Sequence, residues 1–325
     1  MKRLLIGMLV LMAVGAYAAN DAYLHRFEQA WRLVKDYYYD LDYRGVNWNE
    51  VGERYRRLVA AASSWKEVYE LLDDMYAELG DDHSRIISPP EAQQALRGAL
   101  CYSLPFPVPE EDTSEEEAEW QKEVASEESS DYEWDSFKYN LKDNIGYLRL
   151  PNLIDEAIAE DVKKAVKDFD KQGVKGYILD LRGNPGGLAL TMAEVAGVFM
   201  RGLPWRIVTR TKGVMPQPTI PFWGKPLTEK PLIVLIDKGV NSAAEGLAGA
   251  LKQAGRATLI GERTAGNTEV IIPYCFPDGG VAMLASGVLA PFNGPTWEGR
   301  GVEPDIKINN EKTQLKKALE LIKKY

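Results

Sequence analysis

Few residues in this chain could start a reaction. It holds two histidines, His25 and His83, and two cysteines, Cys101 and Cys275. A serine nucleophile needs a base within hydrogen-bond reach and a third group to orient that base. Ser242 has the setting for such work. It follows the β-branched run Leu232 to Ile236, which is bounded by Asp237-Lys238-Gly239 and reads as a buried strand. It opens a segment rich in Ala, Leu and Gly that reads as a helix to about Ala254. A strand, a tight turn, a serine and a helix can present a hydroxyl at a helix N-terminus. There, backbone N–H groups and the positive dipole end favour a developing oxyanion. The same residues support a plainer reading, since Ser242-Ala243-Ala244-Glu245 fits the S-x-x-E capping box.

Of the two histidines, His25 falls in the first predicted helix, a poor place for a fixed base. His83 lies in the polar turn Gly80-Asp81-Asp82-His83-Ser84, where a helix ends. A base can project from such a turn, and a solvated histidine would also suit the negative end of the helix dipole. The loop Arg182-Gly183-Asn184-Pro185-Gly186-Gly187 follows another buried strand. Adjacent glycines let a backbone approach a ligand closely and aim N–H groups at an anion. The alternative is an ordinary turn.

The elements that must position these residues follow from periodicity. Leu24, Phe27, Trp31, Val34 and Tyr38 recur at helical spacing. Further helices fit Trp48 to Ala62 and Trp65 to Leu79, the latter opened by Ser64. The aromatics there read as core. From Asn144 onward, strands (146–150, 177–180, 205–209, 232–236, 257–260) alternate with helices (155–171, 188–200, 242–254). A Pro-rich loop is expected up to Lys230, a hairpin around Asp278-Gly279-Gly280, and a last helix from Thr313 to Lys324. That alternation predicts an α/β core.

Composition narrows the class. At 45% hydrophobic and 27% charged, 325 residues can bury a sizeable core. The segment Glu110 to Asp135 more than accounts for the net charge of −9 and reads as a solvated or disordered loop. The remainder is close to neutral, so no nucleic-acid surface is expected. Lys2, Arg3, the apolar run Leu4 to Ala16 and the small-x-small site Ala16-Tyr17-Ala18 read as a secretory signal peptide. Export to a periplasmic or extracellular space follows, with no stable membrane span once the signal is removed. In that setting Cys101 and Cys275 form either one disulfide or two buried thiols. The acidic run has no EF-hand spacing, which leaves calcium binding there the weaker alternative, and no metal or cofactor is expected.

Taken in order, these motifs resemble the S41 family of serine peptidases, in its C-terminal-processing and tricorn-core forms. The resemblance rests on four segments. They are Asp180-Leu181-Arg182-Gly183-Asn184-Pro185-Gly186-Gly187, Asn241-Ser242-Ala243-Ala244-Glu245, Gly261-Glu262-Arg263-Thr264-Ala265-Gly266-Asn267, and Glu298-Gly299-Arg300-Gly301-Val302-Glu303-Pro304-Asp305. The helical part ending in Leu79-Gly80-Asp81-Asp82-His83-Ser84 is similar to the tricorn-core and interphotoreceptor-retinoid-binding branch.

The resemblance implies a ClpP/crotonase-like ββα spiral core with a small N-terminal helical domain. Ser242 matches the family nucleophile. Processing proteases pair it with a lysine, but Asn267 occupies the matching position and cannot act as a base. The tricorn branch uses a histidine and a glutamate, matched here by His83 and Glu298. That branch has a serine before its histidine, where this chain has Asp82 before and Ser84 after. Gly186 or Gly187, with Ala243, would form the oxyanion hole.

The expected layout is a signal peptide at 1–18, a helical domain at 19–87, a linker at 88–142 and a catalytic core at 143–325. The linker is too short and too acidic for the PDZ domain that most relatives carry. The expected function is peptide-bond hydrolysis on a peptide or protein substrate. The competing reading is a non-catalytic module on the same fold that binds apolar ligands or peptides.

Overall fold

The computed structural model describes residues 21–96, 101–107 and 137–324. The expected signal peptide and the acidic stretch Glu110 to Asp135 lie outside the described residues, as does most of the expected linker. In chain order the helices are α1 (21–37), α2 (Trp48–Val59), α3 (Trp65–Ala77), α4 (Pro89–Leu96), α5 (Ala157–Lys171), α6 (Ala189–Phe199), α7 (Ala243–Gln253) and α8 (Glu311–Ile322). The strands are β1 (Arg85–Ile87), β2 (Tyr102–Ser103), β3 (Lys138–Lys142), β4 (Ile145–Arg149), β5 (Gly176–Asp180) and β6 (Trp205–Thr209). They continue with β7 (Gly213–Gln217), β8 (Leu232–Ile236), β9 (Thr258–Gly261), β10 (Glu269–Cys275), β11 (Val281–Pro291) and β12 (Ile306–Lys307). The chain is a mixed α/β protein with two sheets and a small N-terminal helical region. It divides into two compact units.

The first unit combines the N-terminal part of the chain with the short returns Thr209–Thr211 and Val270–Gly287. The capping predicted at Ser64 is present: its hydroxyl accepts the Glu67 N–H, and the Glu67 carboxylate accepts the Ser63 N–H at 2.8 Å. The aromatics are core, as periodicity requires. Trp31 and Trp48 each donate the indole N–H to the other's carbonyl, at 3.1 and 3.0 Å. Phe27, Leu33, Val34, Leu72 and Met75 form a cluster with Phe276, Leu284 and Ala285 of the returning segment. A buried Arg26–Asp278 ion pair lies among them, with the Tyr69 hydroxyl donating to Asp278 at 2.5 Å. Cys101 and Cys275 form a disulfide, beside which β2 runs parallel to β10.

The second unit carries a six-stranded sheet in the order β12-β9-β8-β5-β4-β3. All neighbours are parallel except the antiparallel pair β3–β4. Register sets Leu148 beside Leu179, Leu179 beside Val234, and Val234 beside Leu259. Both β5 and β8 are buried along their whole length, which explains their unbroken apolar runs. On one face Ile145, Ile178, Ile233 and Ile260 pack with Ala318 and Ile322 of α8. Helix α6 packs against α5 and α7.

Candidate active site

The carboxyl ends of β5 and β8, adjacent parallel strands, carry the two loops predicted to do chemistry. Such ends are where parallel sheets place ligand-binding loops. The loop after β5 is held from below by Asp180. This carboxylate is fully buried and accepts from Arg182 Nη2 at 2.5 Å and from the Tyr147 hydroxyl at 2.6 Å. Burial alone would raise its pKa, but those hydrogen bonds outweigh it and hold the group below the usual aspartate range.

Asn184, 0% exposed, fixes the rest of the loop. Its amide donates to the Leu150 carbonyl at 2.9 Å, its side-chain oxygen accepts the Gly186 N–H at 2.8 Å, and its carbonyl accepts the Asn241 N–H at 2.9 Å. The glycine loop is thereby tied directly to the residue before Ser242.

Gly186 and Gly187 have φ of 96° and 141°, where a side chain would be strained. A Cβ on Gly186 would stand 2.8 Å from Ser242 Cβ and 3.0 Å from the Ala243 nitrogen, so only glycine permits this approach. The sequence left Gly186 and Gly187 as alternatives. The Gly186 N–H is taken by Asn184. Among the described residues, neither the Gly187 N–H nor the Ala243 N–H has a protein acceptor.

Ser242 has φ 51° and ψ −124°, an uncommon conformation for a residue with a side chain. Its N–H donates to the Asn267 carbonyl at 2.9 Å and to the Glu245 carboxylate at 3.2 Å. The glutamate half of the predicted capping box is therefore in place. The Glu245 N–H also donates to the Ser242 carbonyl at 2.9 Å.

Glu245 is 0% exposed and does more than cap. Its carboxylate also accepts from the Thr264 hydroxyl at 2.5 Å, the Gly266 N–H at 2.7 Å and the Asn267 N–H at 2.9 Å. Burial pushes its pKa up, partly offset by these donors. Asn267, at the position where processing proteases carry a lysine, thus gives backbone support on both sides of Ser242.

Glu298 belongs to the same unit. Its Oε2 accepts the Thr268 N–H at 2.6 Å and the Thr268 hydroxyl at 3.2 Å. Burial, offset in part by the Thr268 N–H and reinforced by the neighbouring Glu269 carboxyl, pushes it up to about 7. His83 belongs to the first unit. Asp81 accepts its N–H at 2.9 Å, along with that of Ser84, and shapes the turn. His83 Nδ1 is buried, and Ser84 receives the Ala285 N–H at 3.1 Å, a structural task.

Residues 144–308, just over half of the chain, match Peptidase family S41. The chain belongs to peptidase family S41. Residues 20–77 match the Tricorn protease C1 domain. A carboxyl-terminal-processing protease of Picosynechococcus sp. is 34% identical over 170 residues, covering 52% of this S41 chain and 40% of that protein. Carboxyl-terminal-processing peptidase 3, chloroplastic, of Arabidopsis thaliana is 38% identical over 165 residues, covering 50% and 31%. The matches thus span well under half the length of these curated relatives.

Among solved structures, a photosystem II D1 C-terminal processing protease aligns with a TM-score of 0.63 at 21% identity, covering 89% of this chain and 94% of that one. A lipoprotein from Streptococcus agalactiae aligns at 0.65 with 16% identity, covering 95% and 96%. At these identities the likeness concerns the fold. Among the described residues no helix is long and apolar enough to cross a membrane, and no side-chain cluster fits a metal ion.

Proposed function

We propose that this S41 chain is an exported serine peptidase acting on a peptide or protein substrate through Ser242, His83 and Glu298. The observation that carries the reading is the Ser242 turn. A serine in a strained conformation stands beside two N–H groups that have no protein acceptor among the described residues. Strain of this kind costs about 1–3 kcal/mol and persists where the surroundings enforce it. Here Asn184, Asn267 and Glu245 are those surroundings.

In the proposed reaction His83 takes the Ser242 proton while Oγ attacks the scissile carbonyl. The new C–O bond converts the carbonyl to a tetrahedral oxyanion, held by the N–H groups of Gly187 and Ala243. A donor of this type is worth roughly 3–4 kcal/mol. The C–N bond then breaks as His83 returns the proton to the leaving amine. Water, deprotonated by His83, hydrolyses the acyl-serine. Glu298 orients the imidazole and offsets its positive charge. The Cys101–Cys275 disulfide and the basic-then-apolar N-terminal sequence support export.

A fluorophosphonate probe tests the reading. The folded protein should label at Ser242, located by peptide mass mapping, and His83→Ala should label far more slowly. A folded protein that binds peptides but takes no label would put the non-catalytic binding module in front.

A further inference from the structure

The segment that carries Glu298 also lines a cleft that the proposed reaction does not use. Residues 291–303 and the C-terminal end of α7 enclose about 450 Å³, all within the second unit. That volume is in the range of small-ligand sites. Pro291, Pro295, Trp297 and Val302 give it apolar walls. The half-buried Trp297 ring lies directly on α7, where a Cβ on Gly249 would collide with it.

The charges of the cleft do not balance. Lys252 is committed, pairing with Asp305 at 3.1 Å and donating to the Glu303 carbonyl at 2.6 Å. The Glu303 carboxylate pairs with Lys307 at 2.9 Å. Arg300 also lines the cleft, and among the described residues its side chain has no acceptor. An exposed arginine alone is ordinary surface charge. One that shares a cavity with an indole and two prolines matches the composition of a ligand site, apolar walls with a few polar anchors. A guanidinium fork takes a carboxylate or a phosphate through two parallel hydrogen bonds. Apolar walls favour the carboxylate, which brings less charge to be stripped of water.

We propose that this cleft binds a small organic carboxylate with an apolar body, the carboxylate on Arg300 and the body on Trp297, and that occupancy stiffens the turn carrying Glu298. Glu298 lies between the two anchors in sequence. The Trp297 carbonyl accepts the N–H groups of Arg300 and Gly301 at 2.9 and 2.8 Å, which closes the turn. The Gly299 N–H donates to the Gly266 carbonyl at 2.7 Å, and the Gly266 N–H donates to Glu245, the brace of Ser242. A ligand that grips Trp297 and Arg300 together holds the turn on both sides of Glu298. Binding does not depend on the triad reading, whereas its effect on turnover rests on it.

The test is calorimetric titration of the full chain with phenylacetate. A Kd of about 1 mM or tighter is expected for a ligand of this size. Phenylacetamide, the same body without the charge, should bind at least about ten-fold more weakly, and so should phenylacetate to Arg300→Gln. Arg300 is exposed, so that variant should melt like wild type. Binding should survive in protein labelled by the fluorophosphonate, which separates the cleft from the substrate site. Saturating phenylacetate should raise kcat about five-fold, the scale of a modest coupling, and should not do so in Arg300→Gln. A peptide ending in phenylalanine, compared with its amidated form, shows the source of the ligand. If its free carboxyl end binds more tightly than phenylacetate, the cleft takes chain ends, and if phenylacetate binds more tightly, it takes free acids.

No saturable binding to the wild-type protein overturns the proposal, and so does equal affinity for acid and amide or for wild type and Arg300→Gln. Binding through Arg300 with kcat unchanged or lowered removes the coupling to Glu298. If phenylacetate binds through Arg300 while the protein neither labels nor cleaves, the cleft stands and the peptidase reading falls. If cleavage is normal and phenylacetate does not bind, the reverse holds.

Discussion

Two glutamates in the second unit, the buried Glu245 and the half-buried Glu298, answer the same problem in opposite ways. Glu245 has donors from Thr264, Gly266, Asn267 and Ser242 converging on its two oxygens. Among the described residues the Glu298 carboxylate has donors from Thr268 alone, and the Glu269 charge adds to the effect of burial. Burial raises the pKa of both. The difference lies in what each can exchange. Glu245 is committed to the turn around Ser242 and has no capacity left for a reacting group. Glu298 has fewer donors and is pushed up to about 7. A carboxyl surrounded by N–H groups is a fastener, and one with few donors and a like charge nearby is held toward its neutral form.

The largest effect expected along this contrast is at the residue that Glu245 fastens. Ser242→Ala should lower turnover by many orders of magnitude, on the scale of about 10⁶ for loss of a serine nucleophile. Melting should change little or rise, because removing a side chain from a strained active-site position relieves it. A melting loss of capping size, about 1 kcal/mol, with turnover intact would reverse the assignment.

Glu245→Ala should come next. It strands several buried donors at once, and chemical denaturation should register a loss on the order of 3 kcal/mol. Activity should fall with it, as the Ser242 turn loses its brace. A variant that melts like wild type would show that the contacts to the 264–267 segment are dispensable.

The Glu298 side of the comparison predicts a pH effect on stability. A carboxyl raised from 4.5 to about 7 in the folded chain binds more protons folded than unfolded across that interval. Its contribution is fully present below about 4.5 and is lost as pH rises through about 7. Glu298→Gln should flatten the stability profile between those values, as read by melting temperature against pH. An unchanged slope would remove Glu298 as its source.

The smallest effect concerns Thr268, which is 1% exposed. Thr268→Val keeps the N–H donor but deletes the hydroxyl bond to Glu298 at 3.2 Å. A loss of about 1 kcal/mol is expected, with the carboxyl titration moved upward. A downward move would mean that the hydroxyl does not favour the charged form.

Much of the second unit was legible because its strands are buried on both faces and read as unbroken apolar runs. The Ser242 turn was legible for the same reason. Periodicity did not find β3, whose Tyr139 and Leu141 are exposed, or β12, which is two residues long. The stretch read as a Pro-rich loop contains β7, whose residues are exposed or half-buried and carry no alternation. The capping box at Ser242 and Glu245 announced half of what Glu245 does. Its bonds to Thr264, Gly266 and Asn267 join segments some twenty residues apart, and local spacing carries no sign of them. Asn184 was visible as part of a glycine loop, but not as the tie to Asn241. Glu269 had no local signal at all, as one acid within a strand-like run.

The Cys101–Cys275 bond closes a ring over a sequence separation of 174, which takes in the acidic stretch Glu110 to Asp135 and Ser242 itself. A single backbone cut anywhere inside that ring opens it without releasing a fragment. A nicked molecule would migrate as one species on a gel run without reductant and separate into two bands with it. Cleavage in this interval would therefore leave Ser242 and the N-terminal region covalently together, and would escape a gel run under non-reducing conditions.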